Sequence, residues 1–171
     1  MVAGKDIVAA EFYLRYIGIV REEDVLKALK KNTRMAKKML RDIPRKKIDF
    51  AYAEGKWTIK EILQHLIDAE RVFTYRALSF ARKDTTPLPG FDENNWASAV
   101  SPRVASRKWK DLVEEFSTLR ESTESLFKSF NQEELRTVGV ASGHPLNALA
   151  LGFIIAGHFA HHAGVIKDRY L

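Results

Sequence analysis

The fold is decided by the stretch WTIKEILQHLIDAERVFTYRALSF, residues 57–80, which has the pattern of a long amphipathic helix. Thr58 is followed three residues later by Glu61. This spacing predicts a capping box, in which each side chain accepts a hydrogen bond from the other residue's backbone N–H. Beyond the cap, apolar residues recur every three or four positions and so share one helix face. They are Ile59, Ile62, Leu66, Ala69, Phe73 and Ala77. The stretch therefore predicts a helix from about Thr58 to Phe80.

Three further segments show the same period, at about 21–41, 106–130 and 147–170. The first of them ends before Pro44, because proline cannot continue a helix. The period disappears over 81–107, where we expect a long loop, and over 131–145, where we expect a loop with one short turn near Gln132 to Leu135. With no credible strand alternation and no internal repeat, the sequence predicts an all-α protein built as a four-helix bundle.

Size and composition limit the classes of protein and of site. A chain of 171 residues is near the usual size of one domain, so we expect a single domain over residues 1–171. There is no cysteine, which excludes disulfides, thiolate metal sites and cysteine nucleophiles. Glu11 and Arg15 interrupt the apolar N-terminal stretch, and the apolar run 146–156 is about half the length that spans a bilayer. We therefore expect a soluble, cytoplasmic protein without a signal peptide.

The positive charge is concentrated in one segment. The formal net charge is +6, with a pI near 9.5. Residues 27–47 contain ten Lys or Arg and one acid, Asp42, so this segment carries +9 and the remainder −3. Such a basic helix could bind a polyanion or attract an acidic small molecule, but a solvated helix face is the simpler interpretation. No aromatic residues interleave with the basic ones, as a single-strand platform requires.

Three of the five histidines fall within five residues of the last predicted helix. At 100° per residue, His158 lies in the middle of the apolar stripe, His162 about 40° from it, and His161 at the margin, about 60° away. Imidazoles at i and i+4 project from one side of a helix, so both nitrogens can approach one ion. The alternative is that these rings are core histidines, each satisfied by its own hydrogen-bond partner.

The remaining two histidines have weaker signals. His65 lies about 80° from the centre of the apolar stripe of its helix, at the edge of the inward face. Its position in the helix therefore makes it a candidate third ligand, with no spacing motif to support it. His144 precedes Pro145 in a predicted loop and is interpreted as an ordinary loop residue.

Two segments together resemble the signatures of the DinB/YfiT-like superfamily. The stretch from Trp57 to Arg71 is similar to its second-helix signature, and the stretch from Ile155 to His162, followed by Arg169-Tyr170-Leu171, is similar to its last-helix signature. Residues 87–92 (PLPGFD) and 12–17 (FYLRYI) also resemble one branch of these proteins. The resemblance spans nearly the whole chain.

The resemblance implies an up-down four-helix bundle, often dimeric, that binds a divalent metal through His65, His158 and His162. It gives His161 a supporting role instead of a ligand role. Asp68 and Glu70 follow His65 by one turn or slightly more, and a carboxylate can orient a ligand imidazole through its other ring nitrogen. The competing interpretation of both acids is that they are solvated or paired with Arg71 or Arg76.

Three neutral imidazoles leave a metal ion with its full charge and an open coordination position, which is typical of a catalytic site. Imidazole ligands favour zinc or nickel, with iron or manganese as alternatives. Characterised relatives suggest an S-transferase that uses a low-molecular-weight thiol such as bacillithiol or mycothiol, which is our first expectation for this chain. The alternative is a metal-dependent hydrolase that acts through metal-bound hydroxide. A second alternative is a nucleic-acid-binding protein that uses the basic first helix.

Overall fold

The four long helices of a bundle dominate the computed structural model, which describes residues 6–171. In chain order the elements are α1 (Glu11–Ile17), α2 (Val25–Asp42), α3 (Ile59–Ala81), α4 (Glu93–Ser106), α5 (Trp109–Ser129), α6 (Gln132–Arg136), β1 (Val138–Ala141), β2 (His144–Asn147) and α7 (Ala148–Arg169). A single 3₁₀ turn, Arg45–Lys47, follows α2. The all-α fold class predicted from sequence is confirmed.

The bundle consists of α2, α3, α5 and α7. Helices α3 and α2 each pack against both α7 and α5, so α2 and α3, although consecutive long helices, lie diagonally across the bundle. The predicted capping box is present at the start of α3. The Thr58 N–H donates to Glu61 Oε2 at 2.7 Å, and the Glu61 N–H donates to Thr58 Oγ1 at 3.2 Å. This cap fixes the residue at which α3 begins.

Helix α7 forms the centre of the core. It packs against α1, α2 and α3, and most of its first twelve residues are buried. By length and composition it could cross a membrane, but 61% of its most apolar window is buried against the rest of the chain. Burial by three neighbouring helices accounts for its apolar character without a bilayer.

The predicted loop over 81–107 is wrong in its second half, which forms α4. Its N-cap is Asp92, whose carboxylate accepts from the backbone N–H groups of Asn94 and Asn95 at 2.9 and 3.0 Å. The buried residues of this helix are Ala97 and Val104 alone. So few buried positions leave no apolar period in the sequence.

The expectation that strands are absent is also wrong, because β1 and β2 form an antiparallel hairpin in which Ala141 pairs with His144. Each strand has only four residues, too few for alternation to stand out. Ser142 and Gly143 form the turn with φ of +54° and +78°. The hairpin binds the preceding loop, because Leu88 bonds to both Val140 and Ser142 through backbone hydrogen bonds. The short turn predicted near 132–135 is present as α6.

Candidate metal centre

Two helices bring three histidine side chains together. His65 projects from α3, and His158 and His162 project one turn apart from α7, which packs along α3. The Nε2 atom of His158 lies 3.1 Å from Nε2 of His65 and 3.2 Å from Nε2 of His162. The ligand atoms of all three residues lie within 4.8 Å of one another. The structure therefore places the three predicted ligands in one cluster.

This cluster fits a single metal ion. Two nitrogens bound to a tetrahedral ion at about 2.0–2.1 Å are roughly 3.4 Å apart, close to the two measured separations. Among residues 6–171, the hydrogen-bond partners of these three rings are one another, with no carbonyl or hydroxyl group. The alternative of three core histidines, each with its own partner, therefore does not describe this cluster.

Burial keeps the three imidazoles neutral. It lowers the pKa of His65 to about 4, partly opposed by the negative charge of Glu93, and it lowers the pKa of His162 to about 3. The pKa of His158, the most buried ring, falls well below its ordinary value through burial and through the neighbouring histidines. A neutral imidazole has the free lone pair that a metal requires, so the cluster needs no deprotonation to bind one at neutral pH.

Aromatic side chains surround the cluster on the cavity side. The ring of Trp57 lies 4.9 Å from that of His65, and the rings of Tyr16 and Phe73 lie 5.2 and 6.0 Å from that of His158. Together with α1 and the start of α4 they enclose a cavity of about 300 Å³ into which the histidines open. A cavity of this size, with aromatic walls and several polar and charged side chains, suits a small molecule.

A model of the DinB superfamily matches residues 28–166. The chain belongs to the DinB superfamily. It is 27% identical over 168 residues to a Bacillus mycoides protein, an alignment that covers 90% of this chain and 89% of the relative. It is 26% identical over 143 residues to a Bacillus cereus protein, covering 77% and 75%. Both relatives are named as predicted metal-dependent hydrolases.

A solved structure shows the same DinB-superfamily fold. YfiT from Bacillus subtilis, described as having an unusual four-helix bundle topology and inferred to be a metal-dependent hydrolase, superposes with a TM-score of 0.73 at 14% identity. The match covers 84% of this chain and 82% of YfiT. Helix α1, which contributes Tyr13 and Tyr16 to the cavity, precedes the residues that the family model matches.

The supporting residues predicted from sequence have different positions in this DinB-superfamily chain. His161 lines the cavity, with its ring centroid 5.5 Å from Tyr16 and 5.2 Å from His162, outside the group of three converging nitrogens. Burial and the nearby Arg15 lower the pKa of His161. His144 lies exposed on β2, not in a loop as predicted.

Neither predicted acid bonds to a ligand imidazole among residues 6–171. Asp68 accepts a hydrogen bond from Gln64 at 2.9 Å and lies 3.8 Å from Arg71 Nη1, so the competing interpretation is confirmed for this acid. Burial raises the pKa of Asp68. Glu70 is 2% exposed and points between α3 and α5, where Oε2 lies 2.7 Å from Arg120 Nε and Oε1 accepts from Thr123 at 2.6 Å. Glu70 is therefore part of a buried ion pair, and its partner is Arg120 instead of Arg71 or Arg76.

Sequence reasoning missed two charged residues that line the cavity, Arg15 and Glu93. Glu93 is exposed at the first position of α4 and makes no side-chain hydrogen bond or ion pair among residues 6–171. Recognising Asp92 as a helix cap would have identified the start of α4, and hence the position of Glu93. Arg15 belongs to a seven-residue helix whose place in the fold depends on tertiary contacts.

Proposed function

We propose that this DinB-superfamily protein is a metal-dependent hydrolase in which His65, His158 and His162 hold one divalent ion. The observation that supports the proposal is the convergence of three Nε2 atoms on one point at the wall of a cavity of about 300 Å³. The relatives named as metal-dependent hydrolases match this chain over up to 90% of its length and favour the hydrolytic reaction over thiol transfer.

The donor set suits zinc or nickel best, since borderline ions prefer imidazole nitrogen, and iron or manganese is less favoured. When bound at three imidazoles with an open position, such an ion polarises a substrate carbonyl and lowers the pKa of a water molecule. The residues of the chain supply the rest. His65 comes from a different helix than His158 and His162, so the packing of α3 on α7 fixes the shape of the site.

The cavity walls contact the substrate. Trp57, Tyr16 and Phe73 form apolar surfaces next to the histidine rings. Glu93 lines the same cavity and has no ion-pair partner among residues 6–171, and its negative charge opposes the lowering of the His65 pKa by burial. We propose that its carboxylate accepts a proton from the attacking nucleophile and returns it to the leaving group.

Metal analysis tests the site. Protein purified without a histidine tag should contain close to one divalent ion per chain, and the His158→Ala, His162→Ala double variant should lose it. His144→Ala is the matched control, because it removes an exposed histidine outside the cluster and should leave the metal content unchanged. Full retention of the metal in the double variant would refute the site.

Turnover with a panel of substrates tests the reaction. Metal-loaded protein is assayed with esters and amides, and separately with electrophilic acceptors in the presence of physiological thiols. Hydrolysis that needs the metal, is unaffected by thiols and falls in Glu93→Gln supports the proposal. Turnover only with a thiol would replace hydrolysis by the S-transferase expected from the resemblance, with the thiol supplied as a cosubstrate because the chain has no cysteine.

The basic segment lies away from this site. On α2, Lys31 pairs with Glu22 and Lys37 with Glu121, and the cavity is lined by none of the basic residues of 27–47. Nucleic-acid binding through this helix stays a prediction, and phosphate contacts would make it steeply salt-dependent. Dimerisation and a cytoplasmic location also stay predictions.

A further inference from the structure

Arg76 on α3 is a buried cation without a nearby anion. Its side chain is 2% exposed, and no carboxylate oxygen lies within 4.0 Å of it among residues 6–171. By contrast, Arg71 and Arg107 pair with Glu115, and Arg120 pairs with Glu70. Residues 1–5 contain no acid. An unpaired buried charge is costly, so the position of Arg76 calls for an explanation.

The guanidinium bonds instead to neutral groups. Its Nη2 atom donates to the Pro89 carbonyl at 2.8 Å and to Ser142 Oγ at 3.1 Å. Burial raises the pKa of the Tyr13 phenol, and the positive charge of Arg76 opposes that rise. Arg76 therefore has one hydroxyl acceptor, Ser142 on the hairpin turn, and its positive charge also acts on the Tyr13 hydroxyl of α1.

Both hydroxyl groups line the cavity of the three histidines. A hydroxyl oxygen that accepts a hydrogen bond from a cation still has its own proton to donate. Neither Tyr13 nor Ser142 donates that proton to another residue among residues 6–171. The positive charge of Arg76 therefore reaches the cavity through the O–H of Ser142, which it hydrogen-bonds, and through its field on the O–H of Tyr13. Donors beside a cation prefer an anionic acceptor.

Ser142 occupies a backbone conformation that favours other residues. Its φ of +54° lies in the left-handed region, where glycine and asparagine are preferred. Glycine would form this turn with less strain but would give Arg76 no hydroxyl acceptor. A strained residue whose side chain faces a cavity is typical of a functional position.

We propose that Arg76, Tyr13 and Ser142 form an oxyanion subsite that binds the carboxylate or another oxyanion of the substrate. The Phe73 ring separates this subsite from the metal centre, with centroids 6.2 Å from Tyr13 and 6.0 Å from His158. The substrate class is then a small anion with an apolar body. As a statement about the substrate, this inference rests on the proposed function.

Binding of a matched pair of probes to the metal-free chain tests the subsite. Benzoate and benzamide have nearly the same shape, fit an aromatic-walled cavity and differ in charge. In calorimetric titrations of protein stripped of metal, benzoate should bind about tenfold more tightly than benzamide or better, as expected for one charge-assisted hydrogen bond. Because no metal is present, a failure of the histidine site would leave this result unchanged.

Four variants locate the preference for the anion. Ser142→Gly relieves the strained φ, so this variant should remain folded, and its preference for benzoate over benzamide should fall several-fold. Tyr13→Phe should lower the same preference several-fold. Arg76→Met should abolish the preference with little effect on benzamide; if it does not fold, the other two variants decide. Arg15→Gln removes the exposed arginine of the cavity and should keep the preference.

Three results would overturn the subsite. Equal binding of benzoate and benzamide to the wild-type chain would show that the cavity does not select an anion. An unchanged preference in both Ser142→Gly and Tyr13→Phe would remove the two donors from recognition. If Arg15→Gln alone loses the preference for benzoate over benzamide, the anion binds at Arg15 and not at the proposed subsite.

Discussion

Gly157 controls how closely α1 approaches α7, and its replacement by alanine gives the sharpest prediction about the fold. A Cβ atom built on Gly157 would lie 2.0 Å from the Tyr16 carbonyl oxygen and 2.5 Å from its carbonyl carbon. Both are backbone atoms, so no side-chain rotation relieves the contact. Helix α1, which contributes Tyr13 and Tyr16 to the cavity, would have to move by about 1 Å to restore ordinary separations.

Gly164 on the same helix provides a matched control, because a Cβ there meets no atom of residues 6–171 within 4 Å. In both variants helix propensity raises the free energy of unfolding by about 1 kcal/mol, because alanine favours a helix more than glycine does. Only Gly157→Ala adds the overpacking cost, typically about 1–3 kcal/mol, and a rigid backbone contact belongs near the upper end. We expect Gly164→Ala to stabilise the protein by about 1 kcal/mol and Gly157→Ala to destabilise it by about 1–2 kcal/mol.

Urea denaturation of the two variants and the wild type measures this difference. Because the gain in helix propensity is common to both, the gap between their free energies of unfolding isolates the contact between α1 and α7. We expect a gap of about 2–3 kcal/mol. If Gly157→Ala stabilises the protein as much as Gly164→Ala does, α1 does not pack on α7 at this position, and the walls that Tyr13 and Tyr16 give to the cavity must be reconsidered.

Two further predictions concern the framework that positions the site. Glu70→Gln leaves Arg120 buried without an anion and should lower the free energy of unfolding, measured with urea, by about 3–5 kcal/mol. The control Glu121→Gln breaks the exposed pair with Lys37 and should change that free energy by less than about 1 kcal/mol. Similar effects of the two variants would contradict the buried pair. Burial raises the pKa of Glu61, but hydrogen bonds from Ser101 and Thr58 outweigh it and lower the pKa overall. The stability that this carboxylate contributes is therefore complete above about pH 4.5 and is lost as the pH falls below it. Glu61→Gln should flatten the acid limb of a stability-against-pH curve, and an unchanged limb would argue against the cap as its source.

Helical phase predicted much of the metal centre because two ligands share one helix. Residues at i and i+4 lie on the same side whatever the helix packs against, so His158 and His162 needed no tertiary information. His65 did need it. It lies at the edge of its apolar stripe, and it faces the other two histidines because α3 packs against both α5 and α7. The family resemblance supplied that information before the structure did.

The elements that sequence reasoning missed all lack a period of their own. Helix α4 buries Ala97 and Val104 alone, and each strand of the hairpin has four residues. Their positions follow from contacts with α3 and with the loop at Leu88, which no local pattern encodes. The role suggested for Glu70 beside the metal ligands was wrong, because Glu70 pairs with a buried arginine on α5. The spacing of residues in the sequence could not identify that partner.

Helix α3 links the metal centre to the proposed oxyanion subsite. His65 and Arg76 are eleven residues apart, which is about three turns, and they differ by only about 20° in phase. They therefore project from nearly the same face, about 16 Å apart along the axis, with Ala69 and Phe73 between them. The capping box at Thr58 fixes where this helix begins, so it sets the positions of both sites together. The hydroxyl groups that face the substrate, however, come from Tyr13 on α1 and Ser142 in the hairpin turn. The distance between a substrate's anionic group and its reacting bond therefore depends on how α1 packs on α7 and the hairpin on α3, and not on α3 alone.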